Sequence, residues 1–331
     1  MANIVVTNKC NLKCPYCFAS EVVQQETEMF TVENFIKALN FIKTRKNERV
    51  GLVGGEPTIH SKFGDFTKII QNDNEITNCI IYTNGIELAK YIEIIKHDKF
   101  TLLLNCNAPY NIGNLYNKLE ETITILAKEK KNRFNLGINI YKPDMDYSYI
   151  FDLLKLSKTN YLRYSISISN AEKAQSSNKL DYYRKFIPII TNFYKDCLKR
   201  DIIPSLDCNG IPICLTNNEI KQLQLEIFNI VKEKRTYCQI IGNPCPPSVD
   251  ILPDLTAVRS ICFPYNKSVP IYDFRIIDML TEYFINEIDS NFKSLFISEE
   301  CKTCKYKQKE ICGVCPTFAI NEFYEIKKQS L

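Results

Sequence analysis

The chain has 331 residues, 45% of them hydrophobic, enough to bury one large core with a smaller one or two of moderate size. Its 42 basic and 38 acidic residues nearly cancel, to a formal +4, and form no long run of one sign, which gives no support to nucleic-acid or membrane binding. The opening MANIVVTNKC lacks the basic start and apolar length of a signal peptide, and no later segment approaches the ~18 apolar residues of a membrane span, so the expected compartment is cytoplasmic.

A first strand is expected over residues 3–7, and it runs into CNLKCPYC at residues 10–17, where three cysteines are spaced CxxxCxxC. Fifteen cysteines without an export signal do not suit a disulfide framework, because the cytosol keeps thiols reduced. The two histidines, His60 and His97, are too few for a mixed Cys/His zinc system. Thiolate-only ligation follows, as an iron-sulfur cluster or a Cys-only zinc ribbon. A closed zinc site takes four ligands, so three thiols on one loop leave a coordination position open; a zinc knuckle is the plainer alternative. Thr31 then caps a helix whose Phe35, Ala38, Leu39 and Ile42 recur at helical spacing.

The second strand, 49–53, leads into GGEPTIH at 54–60; the third, 79–83, into Asn84 and Gly85; the fourth, 101–106, into Asn107, Ala108 and Pro109. Leu115, Leu119, Ile123 and Leu126 mark another helix, and strands follow at 134–141 and 161–168. Six βα repeats of mostly continuous apolar strands predict an α/β fold of parallel strands closing as a partial (β/α)6 TIM-like barrel. Active sites of such folds sit at the carboxyl ends of the strands, so the four unusual loops are expected at one rim.

Another strand is expected within 202–214, then a helix over 217–234 capped by Asn217 or Asn218. Beyond it the alternation stops, and Cys238, Cys245, Cys262, Cys301, Cys304, Cys312 and Cys315 punctuate a stretch of Gly, Pro and short hairpin patterns. The expected organisation is a barrel core over 1–215, a bridging helix over 216–236 and a smaller cysteine-rich domain over 237–331. Cys79, Cys106 and Cys197 read as small buried hydrophobes, His60 as structural and His97 as solvated. Arg163, Asp207 and Asp254 read as structural polar groups, and no residue is assigned as catalytic.

CNLKCPYC together with GGEPT resembles the radical S-adenosylmethionine (SAM) superfamily, over roughly residues 3–170. The resemblance implies that Cys10, Cys14 and Cys17 bind three irons of a [4Fe-4S] cluster and leave the fourth for the amino and carboxylate groups of SAM. It implies that Tyr16 lies by the adenine, that Gly54, Gly55, Glu56 and Pro57 form the loop against the methionine amino group, and that Asn84 and Asn105 or Asn107 contact ribose and carboxylate. A glycine backbone can approach a ligand closely because no Cβ intervenes.

The later cysteines resemble SPASM and twitch extensions, which hold one or two auxiliary iron-sulfur clusters. Residues 249–264 look like their cysteine-ended hairpin, with its glycine replaced near Leu255, and 301–316 like their final cysteine array. A twitch-like grouping takes Cys245, Cys262, Cys312 and Cys315, and Cys301 and Cys304 then need partners such as Cys208 and Cys214; a SPASM-like grouping takes Cys238, Cys245, Cys262 and Cys315, leaving Cys301, Cys304 and Cys312 with one open iron. A zinc ribbon is the plainer reading of the array.

The resemblance implies reductive cleavage of SAM to a 5′-deoxyadenosyl radical, and hydrogen abstraction from a ribosomally made peptide that ends in oxidation, cross-linking or epimerisation. A flavodoxin- or ferredoxin-type donor is the implied electron source. With the first strand expected from residue 3, leader recognition falls to the barrel or to a separate leader-binding protein. The alternatives are a sulfatase-type protein maturase, a small-molecule dehydrogenase and, in another class, a non-catalytic iron-sulfur electron carrier.

Overall fold

The computed structural model describes residues 2–17, 19, 29–46, 48–129, 133–167, 179–234, 238–240, 247–262, 268–290, 298–309 and 311–312. The chain divides into two compact units, Met1–Asn135 with Pro247–Lys293, and Leu136–Pro246 with Ser294–Leu331.

The first unit is built on parallel strands β1 (Ala2–Thr7), β2 (Glu48–Gly54), β3 (Ile76–Thr83) and β4 (Phe100–Asn105), in that spatial order. Every residue of β1 is buried, as expected of a strand covered on both faces. Helix α1 (Val32–Ile42) crosses from β1 to β2, and α2 (Phe63–Asn72) from β2 to β3. Thr31 Oγ1 accepts the Asn34 N–H at 3.1 Å, so the expected cap forms, and Phe35, Ala38, Leu39 and Ile42 are the buried stripe. Phe35 stacks on Phe66 of α2, with ring centroids 4.2 Å apart. Helix α3 (Leu115–Glu129) follows β4 and buries Leu119, Ile123 and Leu126.

On the other side of β1 lies β8 (Val249–Ile251), parallel to it, with Ala2 opposite Val249 and Ile4 opposite Ile251. It turns antiparallel into β9 (Thr256–Val258), which pairs with β10 (Val269–Pro270). Leu255 holds the turn at φ 63°, left-handed, where the expected hairpin would carry glycine; the strain for an L-residue is about 1–2 kcal/mol. Asp254 Oδ1 accepts from Thr256 N at 3.0 Å and from Thr256 Oγ1 at 2.8 Å, which is the structural role read for it. Val5 and Val53 pack with Leu252 and Val258 in one buried cluster, at about 2 kcal/mol per buried side chain. Asn3 Nδ2 donates to Asp250 Oδ1 at 2.6 Å across the β1–β8 pair, and Ile261 N donates to Asp250 Oδ2 at 2.6 Å.

The second unit carries parallel strands β5 (Phe134–Ile140), which enters it at Leu136, β6 (Tyr161–Ile166) and β7 (Ile203–Leu206), in that order. Its helices are α4 (Tyr149–Ser157), α5 (Lys179–Leu198) and α6 (Asn218–Lys234), and Asn217 Oδ1 caps α6 by accepting from Ile220 N at 2.8 Å. Asn209 ties down the chain after β7, since its amide donates to Ile166 O at 2.8 Å while its Oδ1 accepts from Tyr183 OH at 2.6 Å. Arg163 on β6 is ion-paired with Asp207. The strands are mostly parallel and alternate with helices, which is the expected α/β class. No helix among the described residues is long and apolar enough to cross a membrane.

Candidate functional site

Three loops at the carboxyl ends of β1, β2 and β3 are fastened to one another. Gly55 N donates to Thr7 O at 2.8 Å and Glu56 N to Lys9 O at 2.9 Å, so the GGE segment runs alongside the chain that leads into the cysteine loop. The contact explains the glycines. A Cβ on Gly54 would stand 2.3 Å from Thr7 O, and one on Gly55 2.3 Å from Lys9 O. The close approach they permit here is to the backbone of Thr7 and Lys9.

Glu56 is the strut of the site. Its side chain is buried, and Oε1 accepts from Thr58 N at 3.1 Å, Thr58 Oγ1 at 2.6 Å and Thr83 Oγ1 at 2.7 Å. Oε2 accepts from Asn84 N at 2.6 Å, which ties the end of β3 to the loop after β2. Locally Glu56 caps a short 3-10 turn, Pro57–Ile59, with Pro57 at its first position where no N–H is needed. Burial raises the Glu56 carboxyl above its ordinary range. Asn84 then reaches the cysteine loop, with Nδ2 donating to Asn11 Oδ1 at 2.7 Å.

From β4 the side chain that reaches the loop is that of Asn107. Its Oδ1 accepts from Tyr16 OH at 2.7 Å and from the Cys14 thiol at 3.3 Å. Asn105, two residues earlier, is half-buried at the strand end, and its carbonyl accepts from Asn107 Nδ2 at 3.5 Å. Asn11, Thr58 and Thr83 were not singled out in the sequence; each lies in or beside a motif that was, and only their hydrogen bonds mark them.

Cys10, Cys14 and Cys17 are half-buried on one loop. Burial pushes the Cys10 thiol up to about 12 and Cys14 up to about 11, and raises Cys17; the neighbouring thiols add to the shift at Cys10 and Cys14. Such thiols stay protonated until a cation takes the place of the protons, and an all-sulfur donor set of this kind fits iron. Among the described residues no three Cys, His, Asp or Glu side chains are gathered tightly enough to share a single metal ion. In a [4Fe-4S] cluster each thiolate holds a different iron.

Of the other expected ligands, Cys262 is half-buried at the end of the β8–β9 hairpin in the first unit, with its N–H donating to Ser260 Oγ at 3.4 Å. Cys301, Cys304 and Cys312 are half-buried in the second unit. Cys245 and Cys315 lie outside the described residues. Cys79, Cys106 and Cys197 are buried hydrophobes as expected. His60 is buried against Phe66 with Nδ1 accepting from Lys62 N at 2.9 Å, and His97 is exposed.

Among curated proteins, GTP 3′,8-cyclase from Alkaliphilus oremlandii is 32% identical over 95 residues, which are 28% of this chain and 30% of that protein. The probable GTP 3′,8-cyclase of Methanococcus maripaludis is 31% identical over 93 residues, again 28% and 30% of the two chains. The chain thus spans less than a third of the length of these two relatives. Among solved structures, native anSMEcpe with bound AdoMet and Cp18Cys peptide has a TM-score of 0.64 at 16% identity, covering 100% of this chain and 99% of that one. SuiB of Streptococcus suis bound to precursor peptide SuiA has a TM-score of 0.63 at 15% identity, covering 97% of this chain and 72% of that one. At such identities the likeness is one of fold. The Radical SAM superfamily model matches the stretch that carries both loops and the hydrogen bonds between them, and residues 4–119 of this chain are a radical SAM domain.

Proposed function

We propose that the chain is a radical SAM enzyme that modifies a peptide. The observation that carries the reading is the fastening of the GGEP loop to the cysteine loop through Gly55, Glu56 and Asn84. Cys10, Cys14 and Cys17 would hold three irons, and the loop of Gly54, Gly55, Glu56 and Pro57 would face the bound SAM beside them. When bound, the reduced cluster supplies the electron that cleaves SAM to methionine and a 5′-deoxyadenosyl radical. The chain's own task is positioning: Glu56 holds Asn84 and Thr58, and Asn107 holds Tyr16 and Cys14. A radical attacks what lies nearest, so selectivity rests on such placement.

A peptide substrate is supported by the whole-chain likeness in fold to structures whose own ligands are peptides. Auxiliary clusters on Cys245, Cys262, Cys301, Cys304, Cys312 and Cys315 belong to the same reading, as do a cytoplasmic location, the domain division at 215 and 236, and a flavodoxin- or ferredoxin-type donor. The curated relatives favour a second reading, GTP as substrate. Their identity falls on about 95 residues, which leaves the rest of the chain to decide the substrate.

The test is anaerobic reconstitution with iron, sulfide, SAM and dithionite, followed by assay of 5′-deoxyadenosine and mass spectrometry of candidate substrates. Candidates are peptides encoded beside the gene, and GTP. Loss of a hydrogen pair from a peptide, or deuterium taken up from solvent at unchanged mass, supports the proposal. Turnover of GTP with peptides untouched replaces it. Full SAM cleavage by the Cys10→Ala, Cys14→Ala, Cys17→Ala triple variant overturns the assignment of the site.

A further inference from the structure

A second group of thiols gathers in the second unit. Cys301 closes a 3-10 turn, Glu299–Cys301, whose Ser298 side chain accepts from Glu300 N. Cys304 N donates to Cys301 O at 3.2 Å, and Ile311 N and Cys312 N both donate to Tyr306 O, at 2.9 and 3.2 Å, so the three thiols ride one tight coil of chain. Glu300 anchors that coil to α5, accepting both its hydrogen bonds from Arg184 Nη2, at 3.0 and 2.8 Å. Cys214 sits in the middle of a 3-10 turn, Ile213–Leu215, just ahead of α6, which packs on α5.

We propose that Cys214 supplies the fourth thiolate of an auxiliary iron-sulfur cluster whose other ligands are Cys301, Cys304 and Cys312. The proposal rests on the reading that the cysteine-rich region binds such clusters. Spacing alone left Cys301, Cys304 and Cys312 one ligand short in one grouping and split them between two sites in the other. In the fold, Cys312, Cys304 and Cys301 are all electrostatic neighbours of Cys214, and Cys312 and Cys304 are neighbours of Cys301. Like charges brought together repel, so four neighbouring thiolates are stable only around a cation.

All-sulfur ligation suits iron-sulfur chemistry. With four thiolates no iron is left open, so this cluster passes electrons and does not bind substrate. Each thiol releases one proton as it takes an iron. Cys208, on the stretch before Cys214 and also exposed, provides the comparison; its N–H donates to Ser165 Oγ at 3.2 Å.

The experiment uses the full chain, apo and anaerobically reconstituted with iron and sulfide, exposed to iodoacetamide and mapped by mass spectrometry. Cys214 is expected to become protected on reconstitution together with Cys301, Cys304 and Cys312, while Cys208 reacts equally in both forms. Cys214→Ala is expected to lose the iron of one cluster, about four per chain, or to retain a three-iron form visible by electron paramagnetic resonance. Circular dichroism checks that the variant folds, and the protection pattern of the unmutated chain does not depend on it. Cys214 reacting as in the apo form while Cys301, Cys304 and Cys312 are protected overturns the proposal. Unprotected Cys301, Cys304 and Cys312, or zinc without sulfide, overturns the auxiliary-cluster reading beneath it.

Discussion

Replacing Glu56 with alanine removes the acceptor on which four donors converge, and the cost can be worked from their identities. The donors are Thr58 N, Thr58 Oγ1, Thr83 Oγ1 and Asn84 N, at 3.1, 2.6, 2.7 and 2.6 Å. The hydroxyls can turn toward other acceptors; the two buried N–H groups cannot, and at about 1–3 kcal/mol each they cost about 4 kcal/mol together. Alanine also removes a carboxyl that is costly to bury, so the expected net loss is about 2–4 kcal/mol. Glutamine keeps the shape, yet sets its amide group against one of the two oxygens' donors, for about 1–2 kcal/mol.

The pH dependence has a definite sign. The Glu56 carboxyl is held above its ordinary 4.5 by burial, so the stability it contributes is full below that value and is lost as pH rises through the raised one. The alanine penalty is therefore largest in acid. Urea unfolding followed by circular dichroism, at several pH values and with unchanged slope, gives the comparison. The expected order is wild type, then Glu56→Gln, then Glu56→Ala. An alanine variant within about 0.5 kcal/mol of wild type at acid pH refutes the strut.

Gly55→Ala puts a Cβ 2.3 Å from Lys9 O and forces the two loops apart, with an expected cost of about 1–3 kcal/mol and weaker SAM binding by calorimetry on the reconstituted protein. Unchanged stability and affinity would show that the loop has room. Asn107→Ala leaves Tyr16 OH and the Cys14 thiol without their shared acceptor and should cost about 1–2 kcal/mol in urea unfolding, against a few tenths for Asn105→Ala. Equal losses would refute the distinction between them. Burial raises the Asp250 carboxyl from 3.8 to about 6, a shift equivalent to roughly 3 kcal/mol. Its contribution is full below pH 3.8 and lost as pH rises through about 6, so Asp250→Asn should flatten the stability profile across that window, and parallel profiles for the two proteins would contradict it.

Local chemistry made much of this protein legible. The Thr31 cap, the Phe35–Ala38–Leu39–Ile42 stripe and the strands of the βα repeats depend on neighbours within a turn or on burial of both strand faces. The cysteine and GGEP loops were legible for the same reason, since a short run of chain carries each motif whole. What the tertiary structure alone decided joins residues distant in sequence. Val249–Ile251 pairs beside β1, Asn107 and not Asn105 turns toward Tyr16, and Gly54 and Gly55 yield to the backbone of Thr7 and Lys9. The fold also puts Cys214 in the same unit as Cys301, Cys304 and Cys312, where α6 packs on α5 and Arg184 holds Glu300. Spacing records which thiols share a loop. Which loops share a cluster depends on how the elements between them pack, and no periodicity encodes that.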